Sequence, residues 1–379
     1  MITIAFTGGG TAGHIFPGLA VLAELKRLLE KENCKHRLFW IGSSLGMDRS
    51  IAEAAGIEFF GIPSGKLRRY LSIKNAVDLF RVAAGFFKAV RILKREKVSL
   101  LFSKGGFVSV PPSAAAAFLG IRLFTHESDY SPGLATKINA CFVMKTNGRI
   151  FTAYKETAGY FKNNVRQFVI ESGNPVRMSF RNANPAKGRA FLGVSNDARI
   201  LLVLGGSQGA KEINELVKAV LPELTLIYTV VHQTGPGNLW DLPAAEKYRH
   251  YPFIKEELPD VMAAAELVMG RSGAGIWEWA VMGKPMLLIP LAGANTRGDQ
   301  IENAAFFAKA GAAFALTGSD VNPESLLDGI RSIAHNNERR LEMAAASAKI
   351  GERDSALFIA SHLYVTIKAS LSEEKWGLR

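Results

Sequence analysis

Two segments of the sequence repeat one order of residue types: a short apolar run, a glycine-rich stretch, and apolar residues at helical spacing. The first segment begins with residues 2–6 and continues through the glycines of residues 8–13. The second begins with residues 200–204 and continues through the glycines of residues 205–209. Strand, tight turn and helix in this order open a parallel α/β domain. The repeat therefore predicts two such domains in one chain.

Other strand candidates alternate with helical segments along the chain. They lie at residues 38–41, 100–102, 123–125, 225–231, 267–269 and 286–289. Strands that alternate with helices form parallel sheets covered on both faces. The predicted fold class is therefore α/β, with two Rossmann-like, doubly wound parallel-sheet domains that face a cleft.

The length of 379 residues supports this division, because a single hydrophobic core rarely grows so large. A polar stretch near residues 181–188 is the candidate boundary. We predict an N-terminal domain over residues 1–180 and a C-terminal domain over residues 181–354. A helix over residues 355–379 is expected to pack back toward the N-terminal domain.

Charge and composition narrow the class of partner. The net charge of +12 predicts anionic partners, while the lack of aromatic residues among the basic ones argues against nucleic acid. The two cysteines are too few for a disulfide framework and fit a reducing compartment. The chain start lacks the pattern of a signal peptide, and the apolar residues 107–121 are interrupted by Pro111 and Pro112. We expect no secretion signal and no transmembrane anchor.

The first glycine stretch fits the pattern G-x-G-x-x-G, which brings backbone N–H groups and a helix N-terminus close to an anion. The dinucleotide-binding version also needs a carboxylate at the end of the second strand. Residues 40–43 offer none, which argues against a nicotinamide cofactor. His14 follows the last glycine directly, a position that favours a role in chemistry over one in packing.

Three later loops carry polar groups behind predicted strands. Residues 205–210 combine glycines with Ser207 at a helix start, which suits a diphosphate. Residues 271–275 precede Glu278, whose carboxylate suits the two hydroxyls of a ribose. Residues 297–300 and Asn303 suit sugar hydroxyls. The sequence has no Asp-x-Asp pair, so a site that uses the helix dipole and amides instead of a metal ion is implied.

Six of these motifs together resemble the MurG family of glycosyltransferases, and the resemblance runs along almost the whole chain. The motifs lie at residues 7–14, 104–109, 126–129, 173–177, 205–210 and 271–274. The resemblance implies an inverting enzyme of the GT-B fold. It implies transfer of N-acetylglucosamine from UDP-N-acetylglucosamine (UDP-GlcNAc) to a polyprenyl-diphosphate-linked muramyl pentapeptide, in peptidoglycan synthesis, with no cofactor.

The resemblance also assigns residues. It places the donor in the C-terminal domain, with Ile254 at the uracil, Ser207 at the diphosphate and Glu278 at the ribose. It places the acceptor in the N-terminal domain, where His14 is the expected base and Asp129 the rival base. The complete set of expected donor contacts is Thr11, Ala12, Gly13, Arg177, Ser207, Gln208, Ile254, Ala274, Glu278 and Gln300.

The sequence departs from the family pattern at four points. Ala12 replaces a usual glycine, Phe107 stands where many members have tyrosine, and Asp129 stands where many have asparagine. The loop between Arg271 and Glu278 is one residue shorter than usual. Asp129 therefore adds a charge that the family pattern lacks.

Residues 65–97 are expected to contact an anionic membrane surface on its cytoplasmic face. Leu79 and Phe86 belong to a helical apolar pattern that suits a core, but Phe87 widens the apolar arc. Cations surround this arc, as at a lipid surface. The residues expected at the acceptor or membrane are Lys66, Arg68, Arg69, Arg81 and Phe87.

Two alternatives stay open from the sequence. A lipid glycosyltransferase that uses diacylglycerol, or a UDP-GlcNAc 2-epimerase, shares the expected fold. A non-catalytic nucleotide-binding protein would also explain the positive charge. Release of UDP only in the presence of a muramyl lipid separates these possibilities from the expected reaction.

Overall fold

The computed structural model describes residues 1–65, 73–238, 247–291 and 297–375. Contacts divide the chain into two compact units: Met1–Arg177 with Arg353–Arg379, and Met178–Glu352. The first segment of the first unit ends at Arg177, three residues before the domain boundary at residue 180 that the sequence predicted.

The first unit is built on a seven-stranded parallel sheet with the strand order β3-β2-β1-β4-β5-β6-β7. Its strands are β1 (Ile2–Thr7), β2 (His36–Ser43), β3 (Glu58–Ile62), β4 (Leu100–Ser103), β5 (Arg122–Glu127), β6 (Arg149–Thr152) and β7 (Val169–Glu171). The inner strands are apolar and buried on both faces, because helices cover both sides of the sheet.

Seven helices belong to the described part of the first unit. They are α1 (Ala12–Lys31), α2 (Asp48–Ala54), α3 (Ile73–Arg95), α4 (Val110–Phe118), α5 (Leu134–Lys145), α6 (Asn163–Arg166) and α16 (Ser355–Lys375). Pro111 and Pro112 lie in the first turn of α4, where a missing N–H costs no intrahelical hydrogen bond. They therefore begin this helix instead of interrupting the apolar stretch.

The second unit is built on a six-stranded parallel sheet with the order β10-β9-β8-β11-β12-β13. Its strands are β8 (Ile200–Leu204), β9 (Thr229–Gln233), β10 (Tyr248–Tyr251), β11 (Leu267–Gly270), β12 (Met286–Leu288) and β13 (Ala313–Ala315). Its helices are α7 (Met178–Arg181), α8 (Pro185–Leu192), α9 (Lys211–Ala219), α10 (Leu221–Ile227), α11 (Leu258–Ala264), α12 (Ile276–Val281), α13 (Asp299–Lys309), α14 (Pro323–Ala334) and α15 (Asn337–Ile350).

The predicted fold class, two doubly wound parallel-sheet domains, is confirmed. The strand expected over residues 225–231 is wrong in its first half. Pro222 and Glu223 lie in the first turn of α10, where both favour a helix, and the strand begins only at Thr229. Within the described residues, no helix is long and apolar enough to cross a membrane.

Candidate active site

In both sheets the strand order reverses direction at one point, between β1 and β4 in the first unit and between β8 and β11 in the second. Loops that leave neighbouring strands at such a point open a crevice at the carboxyl edge of the sheet, where ligands of doubly wound proteins bind. The glycine stretches predicted from the sequence follow β1 and β8. The topology thus places one candidate site in each unit.

Glycine is required at the first stretch by close packing. Gly10 has φ +86°, and a Cβ atom there would lie 2.5 Å from Cε1 of Phe107. Trp40 donates a hydrogen bond from Nε1 to the carbonyl of Gly8, at 3.0 Å. The loop is therefore held against the ends of two neighbouring strands.

Asp48 is a residue of this site that the sequence did not predict. Its buried carboxylate accepts hydrogen bonds from the backbone N–H of Gly10 at 3.1 Å and of Ser43 at 2.9 Å. Burial raises the pKa of this carboxyl. The first acidic residue after β2 lies five positions beyond the end of the strand, on α2, and its carboxylate binds the glycine loop.

His14 lies in the first turn of α1, where its N–H donates to the carbonyl of Thr11 at 3.1 Å. Its ring packs against the turn after β4. A Cβ atom on Gly106 would lie 3.0 Å from His14 Cδ2, and one on Gly105 would lie 4.0 Å from Nδ1. Both glycines have positive φ, +76° and +88° respectively. Thr11 and Gly13 are exposed beside the half-buried His14.

Asp129 lies on a loop that Glu127 organises. Glu127 is buried at the end of β5 and accepts four hydrogen bonds. The donors are Ser128 N at 2.8 Å, Asp129 N at 3.0 Å, Gly133 N at 2.9 Å and Thr136 Oγ1 at 2.6 Å. This set fixes the backbone at Asp129, whose side chain is half-buried.

Beneath these loops lies a row of buried polar groups. Lys104 donates from Nζ to Ser128 Oγ, which donates to Asn174 Oδ1 at 2.9 Å. His126 Nε2 lies 2.9 Å from the carbonyl of Gly173. Burial, followed by the charge of Lys104, lowers the pKa of His126 well below its usual value, so its imidazole is neutral.

Arg177, expected at the donor, is the last residue of the first unit's long segment. Its guanidinium lies 4.4 Å from the centroid of the Phe16 ring on α1. Of the other expected donor contacts, Thr11, Ala12 and Gly13 also belong to the first unit, while the rest belong to the second.

In the second unit, the glycine stretch after β8 is packed as tightly as the first. Gly209 has φ +77°, and a Cβ atom there would lie 2.0 Å from the carbonyl oxygen of Thr234. Ser207 is half-buried and Gln208 exposed on this loop, directly before α9. The N-terminus of α9 and the loop amides supply the partial positive charge that suits a diphosphate.

Gln233 connects Ile254 to this loop. Its Oε1 accepts from the N–H of Ile254 at 2.9 Å, and its Nε2 donates to the carbonyl of Gly206 at 3.2 Å. Because the N–H of Ile254 is engaged, its carbonyl is the backbone group that suits a uracil N–H. Gln233 ends a buried strand, and nothing in its sequence context predicted this connection.

Ser272 connects the loop after β11 to α13. Its Oγ donates to the carbonyl of Gln300 at 2.6 Å, and Asn303 Nδ2 donates to the carbonyl of Ser272 at 2.9 Å. Gln300 Oε1 accepts from Leu291 N at 2.8 Å, and its Nε2 lies 3.8 Å from the Cβ position of Gly273. The side-chain NH₂ group of Gln300 thus lies beside the loop of residues 271–275.

The second unit brings Gln300 close to the loop of residues 271–275. Ala274 and Glu278 are half-buried there, with Glu278 in the first turn of α12. Lys66, Arg68 and Arg69 lie outside the described residues. In the part of the chain that the structure describes, no group of three or more His, Cys, Asp or Glu side chains is arranged to hold a metal ion.

Comparison with known proteins identifies the class that this fold and these loops define. Residues 4–147 match the glycosyltransferase family 28 N-terminal domain, and residues 200–357 match the glycosyltransferase family 28 C-terminal domain. The two matches fall on the two units and include both glycine stretches. The protein is a family 28 glycosyltransferase.

Curated relatives narrow the family. A Treponema denticola protein named UDP-N-acetylglucosamine--N-acetylmuramyl-(pentapeptide) pyrophosphoryl-undecaprenol N-acetylglucosamine transferase is 47% identical, over 96% of this chain and 97% of the relative. A Bacillus cereus transferase of the same name, numbered 2, is 41% identical over 89% of this chain and 93% of its own length. The chain belongs to this family, the MurG family of glycosyltransferases.

Solved structures share the fold at lower identity. Acinetobacter baumannii MurG matches with a TM-score of 0.71 at 24% identity, over 95% of this chain and 98% of that structure. UDP-GlcNAc 2-epimerase from Neisseria meningitidis, bound to UDP-GlcNAc, matches with a TM-score of 0.65 at 13% identity, over 96% of this chain and 100% of that structure. The fold is therefore common to transferases and epimerases.

Proposed function

We propose that this protein transfers N-acetylglucosamine from UDP-GlcNAc to the 4-hydroxyl of the muramyl pentapeptide carried on undecaprenyl diphosphate, a step of peptidoglycan synthesis known as lipid I to lipid II. The observation that carries the proposal is the 47% identity to a transferase with this printed activity over 96% of the chain. UDP-GlcNAc 2-epimerases share the fold at 13–18% identity, so the curated relatives favour the transferase.

The second unit is the proposed donor site. The diphosphate of UDP lies at Ser207, Gln208 and the N-terminus of α9, where loop amides stabilise its charge. The carbonyl of Ile254 accepts from the uracil, Glu278 accepts from the ribose, and Ala274 borders the ribose. Gln300 Nε2 donates to the sugar hydroxyls, since Gln300 Oε1 is engaged by Leu291 N.

The first unit is the proposed acceptor site. In an inverting displacement, the muramyl hydroxyl attacks the anomeric carbon while UDP leaves from the opposite face. His14 accepts the hydroxyl proton, since imidazole titrates near neutral pH, and Asp129 is the alternative base. We infer also that Thr11, Ala12, Gly13 and Arg177 contact the donor during the reaction. The donor diphosphate then needs no metal ion.

We also propose a peripheral contact with an anionic membrane. Helix α3 exposes an apolar stripe, in which Leu79 is 63%, Phe80 79% and Phe87 70% exposed. The spacing of these residues puts them on one face of the helix. A groove beside Phe87 is lined by the cations Arg49, Lys88, Arg91 and Arg95, and Arg81 is exposed on the same helix. An apolar stripe beside cations suits an anionic leaflet.

The cytoplasmic face is the proposed side. Cys34 and Cys141 are both free thiols, and Cys141 is exposed. Exposed thiols persist in a reducing compartment. Lys66, Arg68 and Arg69, which the sequence also predicts at this contact, lie outside the described residues.

A transfer assay with labelled UDP-GlcNAc tests the proposed reaction. With a polyprenyl-diphosphate-linked muramyl pentapeptide, we expect label to enter the lipid fraction and UDP to be released in equal amount. Without the acceptor, we expect neither event. Conversion of UDP-GlcNAc to its 2-epimer without an acceptor would instead assign the epimerase reaction, and transfer to diacylglycerol would assign a lipid glycosyltransferase.

A further inference from the structure

Lys104 is a buried cation at the carboxyl edge of the first sheet, and the proposed reaction gives it no role. It follows β4 directly, its N–H donates to the carbonyl of Thr7 at 2.7 Å, and its side chain is 1% exposed. Its Cβ lies 3.1 Å from the Cβ position of Gly8 and 3.4 Å from that of Gly18. The lysine stem thus packs between the first glycine loop and α1.

The ammonium of Lys104 connects three loops. Its Nζ donates to Ser128 Oγ after β5, and Ser128 Oγ donates to Asn174 Oδ1 after β7. Across the described ranges, Ser128 Oγ is the only hydrogen-bond acceptor of this Nζ, although an ammonium carries three N–H donors. Burying a charge with so few hydrogen bonds lowers the stability of the fold. This cost indicates that the charge itself has a function.

Charged and titratable groups surround Lys104 on several elements. Glu127 and Asp129 stabilise its charge, but burial is the larger effect and lowers the pKa of Lys104 to about 8. The positive charge of Lys104 disfavours protonation of His126, and His126 also interacts electrostatically with His14. Asp48 on α2 binds the first glycine loop and Arg177 contacts Phe16 on α1, the two segments between which the stem of Lys104 packs.

We propose that Lys104 is a positioning residue for the transfer reaction: its ammonium holds the loops that carry Asp129 and Asn174, and its charge sets the protonation of the base. This inference rests on the proposed function. A nearby cation disfavours imidazolium and favours carboxylate, so the charge of Lys104 favours the unprotonated form of either candidate base. The inference therefore holds whether His14 or Asp129 accepts the proton.

The pH dependence of kcat/KM tests this role with two variants. Lys104→Met keeps the length of the buried chain and removes the charge. We expect kcat to fall about tenfold and the acidic limb to move up by about one pH unit, because the base protonates more easily. The alkaline limb near pH 8 should disappear. In Lys104→Arg that limb should move to higher pH, because guanidinium stays protonated.

Two matched variants control the test. Lys284 is a half-buried lysine of the second unit, and its Nζ donates to the carbonyls of Ala263 and Ala265 at 2.7 Å. Desolvation lowers the pKa of Lys284 to about 8. Lys284→Arg should leave both limbs in place. Ser128→Ala keeps the cation but removes its acceptor, so it should lower kcat and leave the acidic limb in place.

The outcomes separate the possibilities. A uniform loss of rate in Lys104→Met with unmoved limbs would show that Lys104 only supports the fold, and would overturn the inference. If Lys104→Met does not fold, the alkaline limb of Lys104→Arg decides alone. A parent enzyme that transfers no sugar would defeat the proposed function, whereas an active parent with unmoved limbs would defeat only the role of Lys104.

Discussion

Glu278 and Gln300 approach the candidate donor site from two helices, α12 and α13. We predict that Glu278→Ala and Gln300→Ala each weaken transition-state binding of the donor by about 1–3 kcal/mol, because each leaves donor hydroxyls without a partner. The measurement is kcat/KM for UDP-GlcNAc. Glu324→Ala is the matched control, since Glu324 is exposed on α14. Unchanged kcat/KM in both site variants would remove these residues from the donor site.

His14 and Asp129 are distinguished by their effects on rate. His14→Ala should lower kcat by about 10²–10⁴-fold and leave UDP affinity nearly unchanged, because a base acts in the transition state and does not hold the nucleotide. Asp129→Asn should retain most activity. Stopped-time transfer assays and calorimetric UDP titration give the two quantities. An inactive Asp129→Asn beside an active His14→Ala would make Asp129 the base.

The sequence predicted polar residues at the carboxyl ends of strands but missed their buried supports. Ser207 and Glu278 follow glycine loops, and that local pattern is readable without coordinates. Asp48, Lys104 and Gln233 act through side chains that reach other loops. Which loops meet depends on the strand order, and no local pattern in this sequence specifies that order.

The sequence pattern of α3 did not show which face of this helix is buried. Leu79, Ala83 and Phe86 fit a core pattern, yet Leu79 and Ala83 are exposed and Phe86 is half-buried. The buried face of this helix is formed by smaller and later residues, Gly85, Ala89, Ile92 and Leu93. Apolar spacing alone could not separate the two faces, because both carry apolar residues.

The exposed aromatic and basic residues of α3 are predicted to bind anionic membranes. Phe80→Ser with Phe87→Ser should weaken binding to anionic vesicles at least tenfold, because two largely exposed rings lose their lipid contact. Arg81→Glu with Arg91→Glu should weaken the part of the binding that salt removes, by about 1 kcal/mol or more per basic residue replaced. Vesicle co-sedimentation at low and high salt measures both effects.

Leu226→Ser controls for loss of an exposed apolar side chain, since Leu226 is 82% exposed in the second unit. UDP affinity should stay at the parent value in every variant. Equal sedimentation of the α3 variants and the parent would place the membrane contact elsewhere on the protein.

The short strands were missed for a related reason. β10 reads Tyr-Arg-His-Tyr, and β7 and β13 have three residues each. Strands of this length at sheet edges show neither alternation nor a long apolar run. The strands β1 and β8, in contrast, are mostly apolar and buried along their whole length, and the sequence pattern predicted both.

At the scale of the whole molecule, the chain leaves the first unit at Arg177 and returns to it at Arg353. Helix α16 packs on α1 near the start of the chain. Ile359, Ala360, Leu363 and Ile367 share a buried cluster with Val21, Leu22, Leu25 and Leu29. Helix α16 therefore completes the hydrophobic core of the first unit. Its stability depends on contacts between residues more than 300 positions apart.

Leu363→Ala tests this contribution of α16, because Leu363 is fully buried in that cluster. Loss of a buried leucine should lower the free energy of unfolding of the first unit by about 2–5 kcal/mol. The second unit should keep its transition, and UDP should raise that transition the more strongly of the two, since a ligand stabilises the unit that binds it. Calorimetric scans with and without UDP resolve the two effects.

Leu341→Ala is the control, because Leu341 is 60% exposed and its loss should cost little. Equal lowering of both transitions by Leu363→Ala would mean that the units unfold as one.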